Sequence, residues 1–227
     1  MESLRKLFIK NAKIMWSIKK EGKSYELPID FKHLDKLNVA PWKQKLIKRC
    51  LPSDNVNYSI KDNNIYVMES HGGDDWQQNF MAFTVKVKIG DEYIRVHAGF
   101  YLTAMTVFYH LKKNNLLRDD LVLYAYSHGA GASPLLALKI YDAGFAMPKV
   151  INFESPRCIS RPTHTIKSKC IHFVNFKQGV DVVTTVPWWM SHLGHTFKIK
   201  GQKLPWYKSL VKAVFDHDIY WTKQICL

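Results

Sequence analysis

A serine with small neighbours lies where an apolar segment ends and a helix is expected to begin. Leu121 to Tyr126 are six apolar residues, and their short length, aromatic content and following glycines favour a buried strand over a helix. Ser127 comes next, and Gly129 and Gly131 follow it. A sharp strand-to-helix turn needs small neighbours because the two elements pass close together, and it exposes a serine hydroxyl at the edge of a sheet. The pattern indicates a nucleophilic serine, although an ordinary turn with a capping serine has the same residues.

A serine hydroxyl becomes a good nucleophile only when a base takes its proton and an acid orients that base. In sheets of this kind, the acid and then the histidine follow the serine along the chain. Asp181 follows the predicted strand 171–176 through a short loop, so we select it as the acid, with a turn-capping role as its alternative. His217 lies between two acids near the chain end, and His195 opens a strand-like segment. Residue types alone do not decide between these two histidines.

The composition predicts a folded α/β domain and restricts its partners. The 227 residues are 47% hydrophobic and carry a net charge of +14, so we expect one domain over 1–227. The scattered lysines suit a solvated surface or an anionic membrane surface, and they make nucleic acid an unlikely partner. The oligomeric state is not indicated.

The sequence shows no recognised targeting or metal-binding signal. No signal peptide or membrane-spanning stretch is recognised, and the four cysteines lack metal-type spacing. We therefore expect a cytoplasmic or other intracellular protein with reduced thiols, no metal and no cofactor.

The amino-terminal part is expected to surround the sheet. Residues 1–60 are predicted as a helical wrap, with short helices and loops between 21 and 57. Residues 4–20 have the pattern of a basic amphipathic helix, whose apolar face would contain Leu4, Leu7, Phe8, Met15 and Ile18. This helix either packs on the domain, which we favour, or lies on a membrane surface.

The remaining elements predict the architecture. Residues 83–97 alternate around Gly90-Asp91, which indicates an antiparallel hairpin, and residues 99–113 have a helical pattern. Apolar strands alternate with helices along the rest of the chain, which predicts a mainly parallel sheet flanked by helices. The strands are expected at residues 64–69, 121–126, 150–153 and 171–176. Pro134 is unusual in the helix after Ser127, since proline fits only near a helix start.

Several ordered blocks together resemble one known family. They are Tyr66-Val-Met-Glu-Ser-His-Gly-Gly-Asp-Asp-Trp76, Val96-His-Ala-Gly-Phe100, Tyr126-Ser-His-Gly-Ala130, Asn152-Phe-Glu-Ser-Pro-Arg157 and Asn175 to Pro187. In this order they resemble the fungal-lipase-like (class 3 lipase) family of the α/β-hydrolase superfamily. The resemblance runs from about residue 65 to residue 221 and implies an α/β-hydrolase core there.

The resemblance implies a serine esterase or lipase and assigns roles to residues. Ser127 becomes the nucleophile and Asp181 the acid. His217 is selected over His195 as the base, because it precedes an aromatic pair as the family's catalytic histidine does. Ser70 and the backbone N–H of His128 match the donors of the oxyanion hole.

Departures from the family pattern also have implications. Ala125 replaces a glycine of the elbow motif, Met68 and Glu69 replace the residues before the oxyanion serine, and Glu154 replaces a glycine. Only residues 71–74 separate Ser70 from the Asp-Trp pair, too few for a helical lid, which implies action on soluble or short-chain esters.

The substrate side is expected in two segments. His71 and the Trp188-Trp189-Met190 run are candidates for contact with an acyl ester or lipid substrate, and the tryptophans would suit an anionic phospholipid surface. Core packing is the alternative for that run. The same triad serves thioesterases, peptidases and acyltransferases. A catalytically inactive relative that binds a membrane or nucleic acid is the alternative function.

Overall fold

Two sheets form the centre of the protein in the computed structural model, which describes residues 2–50, 55–68, 83–178, 181 and 183–199. The strands are β1 (Lys23–Pro28), β2 (Asn55–Lys61), β3 (Asn64–Val67), β4 (Thr84–Ile89), β5 (Glu92–His97), β6 (Val122–Tyr126), β7 (Lys149–Phe153), β8 (Ile159–Ser160), β9 (Phe173–Gln178) and β10 (His195–Ile199). The helices are α1 (Glu2–Glu21), α2 (Lys32–Asp35), α3 (Pro41–Cys50), α4 (Ala98–Lys113), α5 (Ser127–Asp142) and α6 (His164–Lys169).

The larger sheet is mainly parallel, as the sequence predicts. Its seven strands have the order β1-β2-β3-β6-β7-β9-β10. Strands β3, β6, β7, β9 and β10 are parallel to one another, whereas β1 and β2 pair antiparallel at one side. The carboxyl ends of the parallel strands therefore meet at one edge, which is where sites form in such sheets.

The smaller sheet contains the hairpin that the sequence predicts. Strands β4 and β5 pair antiparallel around Gly90, whose φ of 58° is one that glycine adopts readily. Strand β8 adds to β5, giving the order β4-β5-β8. The predicted α/β-hydrolase-type architecture, a mainly parallel sheet with an antiparallel element, is confirmed.

Each face of the larger sheet has its own apolar core. On one face, helices α4 and α5 pack against strand residues such as Leu123, Ala125 and Val150. On the other face, helix α1 covers an aromatic layer. Side chains alternate between the two faces of a strand, so neighbouring residues of β6 enter different cores.

Helix α1 packs on the domain through a narrow apolar face. Phe8 and Met15 are fully buried, and the Phe8 ring meets Phe153 and Phe176 edge-on at 5.4 Å. The favoured interpretation of a packed helix is therefore confirmed. The placement of Leu7 on that face was wrong, because Leu7 is 44% exposed; it lies one helical step from Phe8, outside the stripe that reaches the sheet.

The expected helical wrap at residues 1–60 was only partly right. Helices α2 and α3 form there, but β1 is a strand that pairs with β2 from Lys23↔Ile60 to Pro28↔Asn55. The side chains of β1 are mostly exposed, so apolar alternation is too weak to reveal it. Its lysine and its terminal proline are typical of an edge strand.

The cysteines and the possible membrane-crossing helices were the subject of two further expectations. Cys158 and Cys170 are free and buried, whereas Cys50 and Cys226 cannot be compared. Within the described ranges, no helix combines the length and apolar character that a membrane crossing requires.

The packing of α1 leads to a test of stability. Replacing Phe8 with alanine should lower the free energy of unfolding by about 3–5 kcal/mol, because the ring is buried against two other aromatic rings. The matched variant Leu7→Ala should change it by less than about 1 kcal/mol. Urea denaturation measures both, and equal losses would contradict the packing of α1 described above.

Candidate active site

Ser127 is the first residue of α5 and has an unusual backbone conformation. Tyr126 ends strand β6 with extended angles, and Ser127 has a φ of 51°. A residue with a β-carbon is strained in this left-handed region, and such strain concentrates at functional sites. The sharp turn places Ser127 at the carboxyl edge of the sheet, only partly buried. This geometry is that of a nucleophile elbow.

The small residues after the serine are required by close approaches. A Cβ on Gly129 would lie 2.3 Å from the Val67 carbonyl oxygen at the end of β3. A Cβ on Gly131 would lie 2.7 Å from the Phe100 ring of α4. Helix α5 therefore starts in direct contact with a neighbouring strand and a neighbouring helix. Ala125, which replaces a glycine of the family motif, is fully buried in the core, so its methyl group is accommodated.

Pro134 lies inside α5 and leaves one carbonyl without its helical donor. The helix is continuous from Ser127 to Asp142, so neither a second helix start nor a break occurs. Proline has no N–H, so the Ala130 carbonyl loses its usual partner four residues later. Three side-chain groups donate to the Ala130 oxygen instead. They are Ser155 Oγ at 3.0 Å, Asn152 Nδ2 at 3.2 Å and, from the helix itself, Ser133 Oγ at 3.4 Å. Strand β7 and its following loop therefore complete the helix.

A buried polar network extends from this carbonyl toward the strand that precedes Asp181. Asn152 accepts from the Ser133 hydroxyl at 2.6 Å and donates to the Asn175 side-chain oxygen at 3.0 Å. Asn175 on β9 in turn donates to the Leu193 carbonyl at 2.8 Å. Each of the two asparagine side chains therefore donates through its nitrogen and accepts through its oxygen. Polar groups buried away from water are expected to be paired in this way. The sequence analysis missed this role, although an asparagine inside each of two apolar strands was a visible signal.

Asp181 is fully buried two strands away from Ser127. Its Oδ1 accepts the N–H of Val183 at 2.9 Å, and its carbonyl accepts the Thr184 hydroxyl at 2.8 Å. The turn-capping role left open by the sequence is therefore present. A carboxylate has about four acceptor sites, more than this capping uses. One strand, β7, lies between β6 and β9, the two strands that Ser127 and Asp181 follow, so these strands are roughly 10 Å apart.

Two described histidines, His192 and His195, follow Asp181 in the chain. His192 Nε2 donates to the Thr184 carbonyl at 2.9 Å, and burial lowers the pKa of His192. His195 is exposed and starts β10, opposite Val174 near the amino end of β9. Through the register it is level with Tyr124 in the middle of β6, three residues before Ser127 along the strand direction. The choice of His217 as the base stays a prediction, because His217 lies outside the described residues.

His128 lies beside Ser127, and its side chain contacts α4. Its Nε2 is 2.9 Å from the Thr103 hydroxyl, and its ring meets the Phe100 ring edge-on at 5.0 Å. Burial lowers the pKa of His128 to about 4, so the imidazole is neutral near pH 7. Its backbone N–H belongs to the first turn of α5, where N–H groups have no carbonyl partner within the helix.

A second acid and a lysine share this edge of the sheet. Glu154 directly follows β7, is 4% exposed, and donates its N–H to the Phe176 carbonyl at 2.9 Å. Lys177 follows Phe176 on β9. Burial lowers the pKa of Lys177, while the carboxylates of Asp181 and Glu154 oppose that shift.

The tryptophan run lies on the loop after Asp181, fixed by Arg157. Arg157 Nη1 donates to the carbonyls of Trp188 at 2.9 Å and Met190 at 3.4 Å. Trp188 is 76% and Trp189 46% exposed, with their rings edge-on at 5.2 Å. Met190, in contrast, is buried, so the core-packing alternative describes it and only the two indoles form a surface.

Three predicted site residues lie outside the described residues. They are Ser70 and His71 after β3 and the candidate base His217. The structure places Ser127, His128 and Asp181 at the carboxyl edge of the larger sheet, after the strands β6 and β9.

The replacement partners of the Ala130 carbonyl lead to a second test. Ser155→Ala removes the nearest of its three side-chain donors and should lower the free energy of unfolding by about 1 kcal/mol. In a Pro134→Ala background the restored N–H can reach the Ala130 carbonyl, so the same substitution should cost less. Urea denaturation of the four proteins gives the coupling. Equal costs in both backgrounds would contradict the role assigned to Ser155.

The protein resembles known proteins in structure but not in sequence. The sequence matches no protein-family model and none of the curated proteins. Among solved structures, lipase II from Rhizopus niveus matches 88% of this chain and 82% of its own, with a TM-score of 0.56 and 15% identity. The triacylglyceride lipase of Rhizomucor miehei matches 73% of this chain and 74% of its own, with a TM-score of 0.52 and 17% identity.

A further match is less extensive. The Rhizomucor miehei lipase–propeptide complex is matched over 65% of this chain and 53% of that chain, with a TM-score of 0.47 and 18% identity. The chain therefore spans about half the length of that lipase. At such identities the likeness concerns the fold and not the activity. On the two fuller matches, this chain has the α/β-hydrolase-type fold of the fungal lipases.

Proposed function

We propose that the protein is a serine hydrolase that cleaves carboxylic esters, with Ser127 as nucleophile, Asp181 as acid and His217 as base. The observation that carries this proposal is the left-handed Ser127, with a φ of 51° at the start of α5. A strained serine at the carboxyl edge of a parallel sheet has no evident packing role. The fully buried Asp181, two strands away at the same edge, supports it.

The chemical steps follow from these roles. Ser127 Oγ attacks the ester carbonyl carbon while His217 takes the hydroxyl proton, and Asp181 stabilises the imidazolium that forms. The carbonyl oxygen becomes an oxyanion, which accepts from the N–H of His128 and from the Ser70 segment. The oxyanion collapses, the alkoxide leaves with the proton from the imidazolium, and a water molecule then hydrolyses the acyl-enzyme by the same route.

The N-terminus of α5 favours this chemistry. The first N–H groups of a helix and its dipole stabilise negative charge, and the close contact of Gly129 with β3 fixes their direction. A neutral His128 side chain, tied to Thr103, leaves the backbone N–H as the group that meets the oxyanion. One such donor is worth about 3 kcal/mol in the transition state.

The proposed substrates are lipid or short-chain acyl esters. The two structures with the fuller matches are named as lipases, which supports a lipid ester. The short interval between Ser70 and Asp75 in the sequence leaves no room for a helical lid, so we propose activity on dispersed esters without activation by an oil–water interface.

The proposed partner is an anionic membrane surface, contacted peripherally. Trp188 and Trp189 expose two indoles on the loop that follows Asp181, and indoles favour the boundary between lipid and water. The net charge of +14 would attract anionic headgroups. This contact would place the proposed site next to its substrate.

Covalent labelling tests the proposed nucleophile. A fluorophosphonate should label the wild-type protein once, the Ser127→Ala variant not at all, and Asp181→Asn at least about 100-fold more slowly, since the base loses its orienting carboxylate. His195→Gln is the control and should be labelled at the wild-type rate, because His195 lies away from the site. Absence of labelling in a folded wild-type protein, shown by circular dichroism, would favour the inactive binding protein.

Vesicle sedimentation tests the proposed membrane contact. Replacing Trp188 or Trp189 with alanine should weaken binding to phosphatidylglycerol vesicles about tenfold, the effect of losing roughly 60 Å² of apolar contact with lipid. Trp42 on α3 is 68% exposed, so Trp42→Ala is a matched control that should bind as the wild type does. Equal losses in all three variants, or equal binding to phosphatidylcholine vesicles, would argue against the contact.

A further inference from the structure

Helix α1 presents basic side chains on the side that faces away from the sheet. Lys10 and Lys13 are exposed and one helical turn apart, and the exposed Lys20 follows two turns later on the same side. Arg5 is also exposed, near the start of the helix. None of Arg5, Lys10 and Lys13 forms an ion pair with an acid of the described residues. Their charges are therefore available to an external anion.

An exposed apolar side chain lies within this basic segment. Leu7 is 44% exposed and precedes Lys10 by three residues, so the two side chains are neighbours on the helix surface. A single exposed leucine is common and has no significance by itself. Beside lysines, however, it gives the combination that amphipathic helices use at anionic membranes, where cations meet headgroups and an apolar side chain enters the lipid.

The packing of α1 places this segment at the carboxyl edge of the larger sheet. Phe8 contacts Phe153, the last residue of β7. At the other end of the helix, a Cβ on Gly22 would lie 3.0 Å from the Ile60 carbonyl oxygen, near the end of β2 and the start of β3. Helix α1 therefore runs opposite to the parallel strands, and its first turns lie at the edge where Ser127 begins α5.

Resting on the proposed function, we propose that the exposed side of the amino-terminal half of α1 binds an anionic phospholipid bilayer. Lys10 and Lys13 meet the headgroup phosphates, and Leu7 enters the apolar layer. The helix thus packs on the domain through one face and contacts the membrane through the other. Trp188 and Trp189 are exposed on the loop that follows β9 from the same edge, so two separate segments hold this edge against the lipid.

A bilayer fits this surface better than a nucleic acid does. Both carry phosphates that attract lysine, but only a bilayer offers an apolar layer for Leu7. Proteins that bind single-stranded nucleic acid combine cations with aromatic side chains on which bases stack, whereas Leu7 is aliphatic. The chemistry of the segment therefore favours lipid.

Vesicle sedimentation measures the contribution of the lysines. The double variant Lys10→Gln with Lys13→Gln should bind phosphatidylglycerol vesicles about 25-fold more weakly at about 0.1 M salt, since each cation near an anionic surface contributes about fivefold. The difference should nearly disappear at about 1 M salt, where charges are screened. Lys112→Gln with Lys113→Gln is the matched control. It removes the same charge from exposed positions at the end of α4, on the other face of the sheet, and should bind within about twofold of the wild type.

A substitution of Leu7 tests the apolar part of the contact. Leu7→Ala should weaken binding about threefold at either salt concentration, because the loss comes from apolar burial and not from charge. Ile171→Ala is its control. Ile171 is 53% exposed in the turn that precedes β9, at the opposite edge of the sheet, and this variant should bind as the wild type does.

The outcomes separate this inference from the proposed function. If the Lys10 and Lys13 variant binds as well as the Lys112 and Lys113 variant, α1 takes no part in the contact and this inference alone is overturned. Equal binding by Leu7→Ala and Ile171→Ala would overturn the insertion of Leu7. Wild-type protein that binds duplex DNA but not the vesicles would overturn lipid as the occupant.

Fluorophosphonate labelling reports on the hydrolase separately. All the α1 variants should be labelled at the wild-type rate, because their substitutions lie on the surface of the helix. If folded wild-type protein is not labelled but the vesicle results hold, the hydrolase is overturned and the membrane contact of α1 is supported.

Discussion

The close contact between the start of helix α5 and the end of strand β3 constrains the rest of the structure. At Gly129 there is no space for even one methyl group, since a Cβ would lie 2.3 Å from the Val67 carbonyl oxygen. A helix that begins so near a strand can be reached only by a sharp turn, which forces Ser127 into the left-handed region. The same contact directs the first N–H groups of α5 toward the edge where the parallel strands end. One steric constraint thus fixes both the serine and the helix terminus.

The strain at the elbow is supported by hydrogen bonds rather than by apolar packing alone. Pro134 removes a helical donor within the first two turns of α5, and the Ala130 carbonyl binds instead to Asn152 and Ser155 beyond the helix. Asn152 continues to Asn175 on β9, the strand that leads to Asp181. A buried network in which each amide is engaged resists displacement, because any broken bond would leave a polar group unpaired in a low-dielectric interior. The network thereby links the elements that carry Ser127 and Asp181.

Several ionisable side chains lie at the carboxyl edge of the larger sheet. Asp181 is fully buried and Glu154 nearly so, the half-buried Lys177 lies on β9 just after Phe176, and His128 is kept neutral by burial. On the outer side, Arg157 fixes the loop that exposes Trp188 and Trp189. The edge therefore combines buried ionisable groups with the adjacent apolar surface of Trp188 and Trp189. That combination fits the chemistry of esters, whose hydrolysis develops charge next to an apolar chain.

Elements with strong local signals could be predicted from the amino-acid order alone. They are the apolar β6, the hairpin around Gly90, the packed helix α1, and Ser127 with its small neighbours. These follow from periodicity and from steric rules that act over a few residues. The sequence did not reveal β1, whose exposed side chains carry no apolar alternation, nor the exposure of Leu7. The position of His195 at the start of β10, the completion of a proline-interrupted helix by Asn152, and the edge that Glu154 shares with Ser127 follow only from the folded arrangement of the strands. Each of these depends on strand order and register, which join residues far apart in the chain and leave no local pattern.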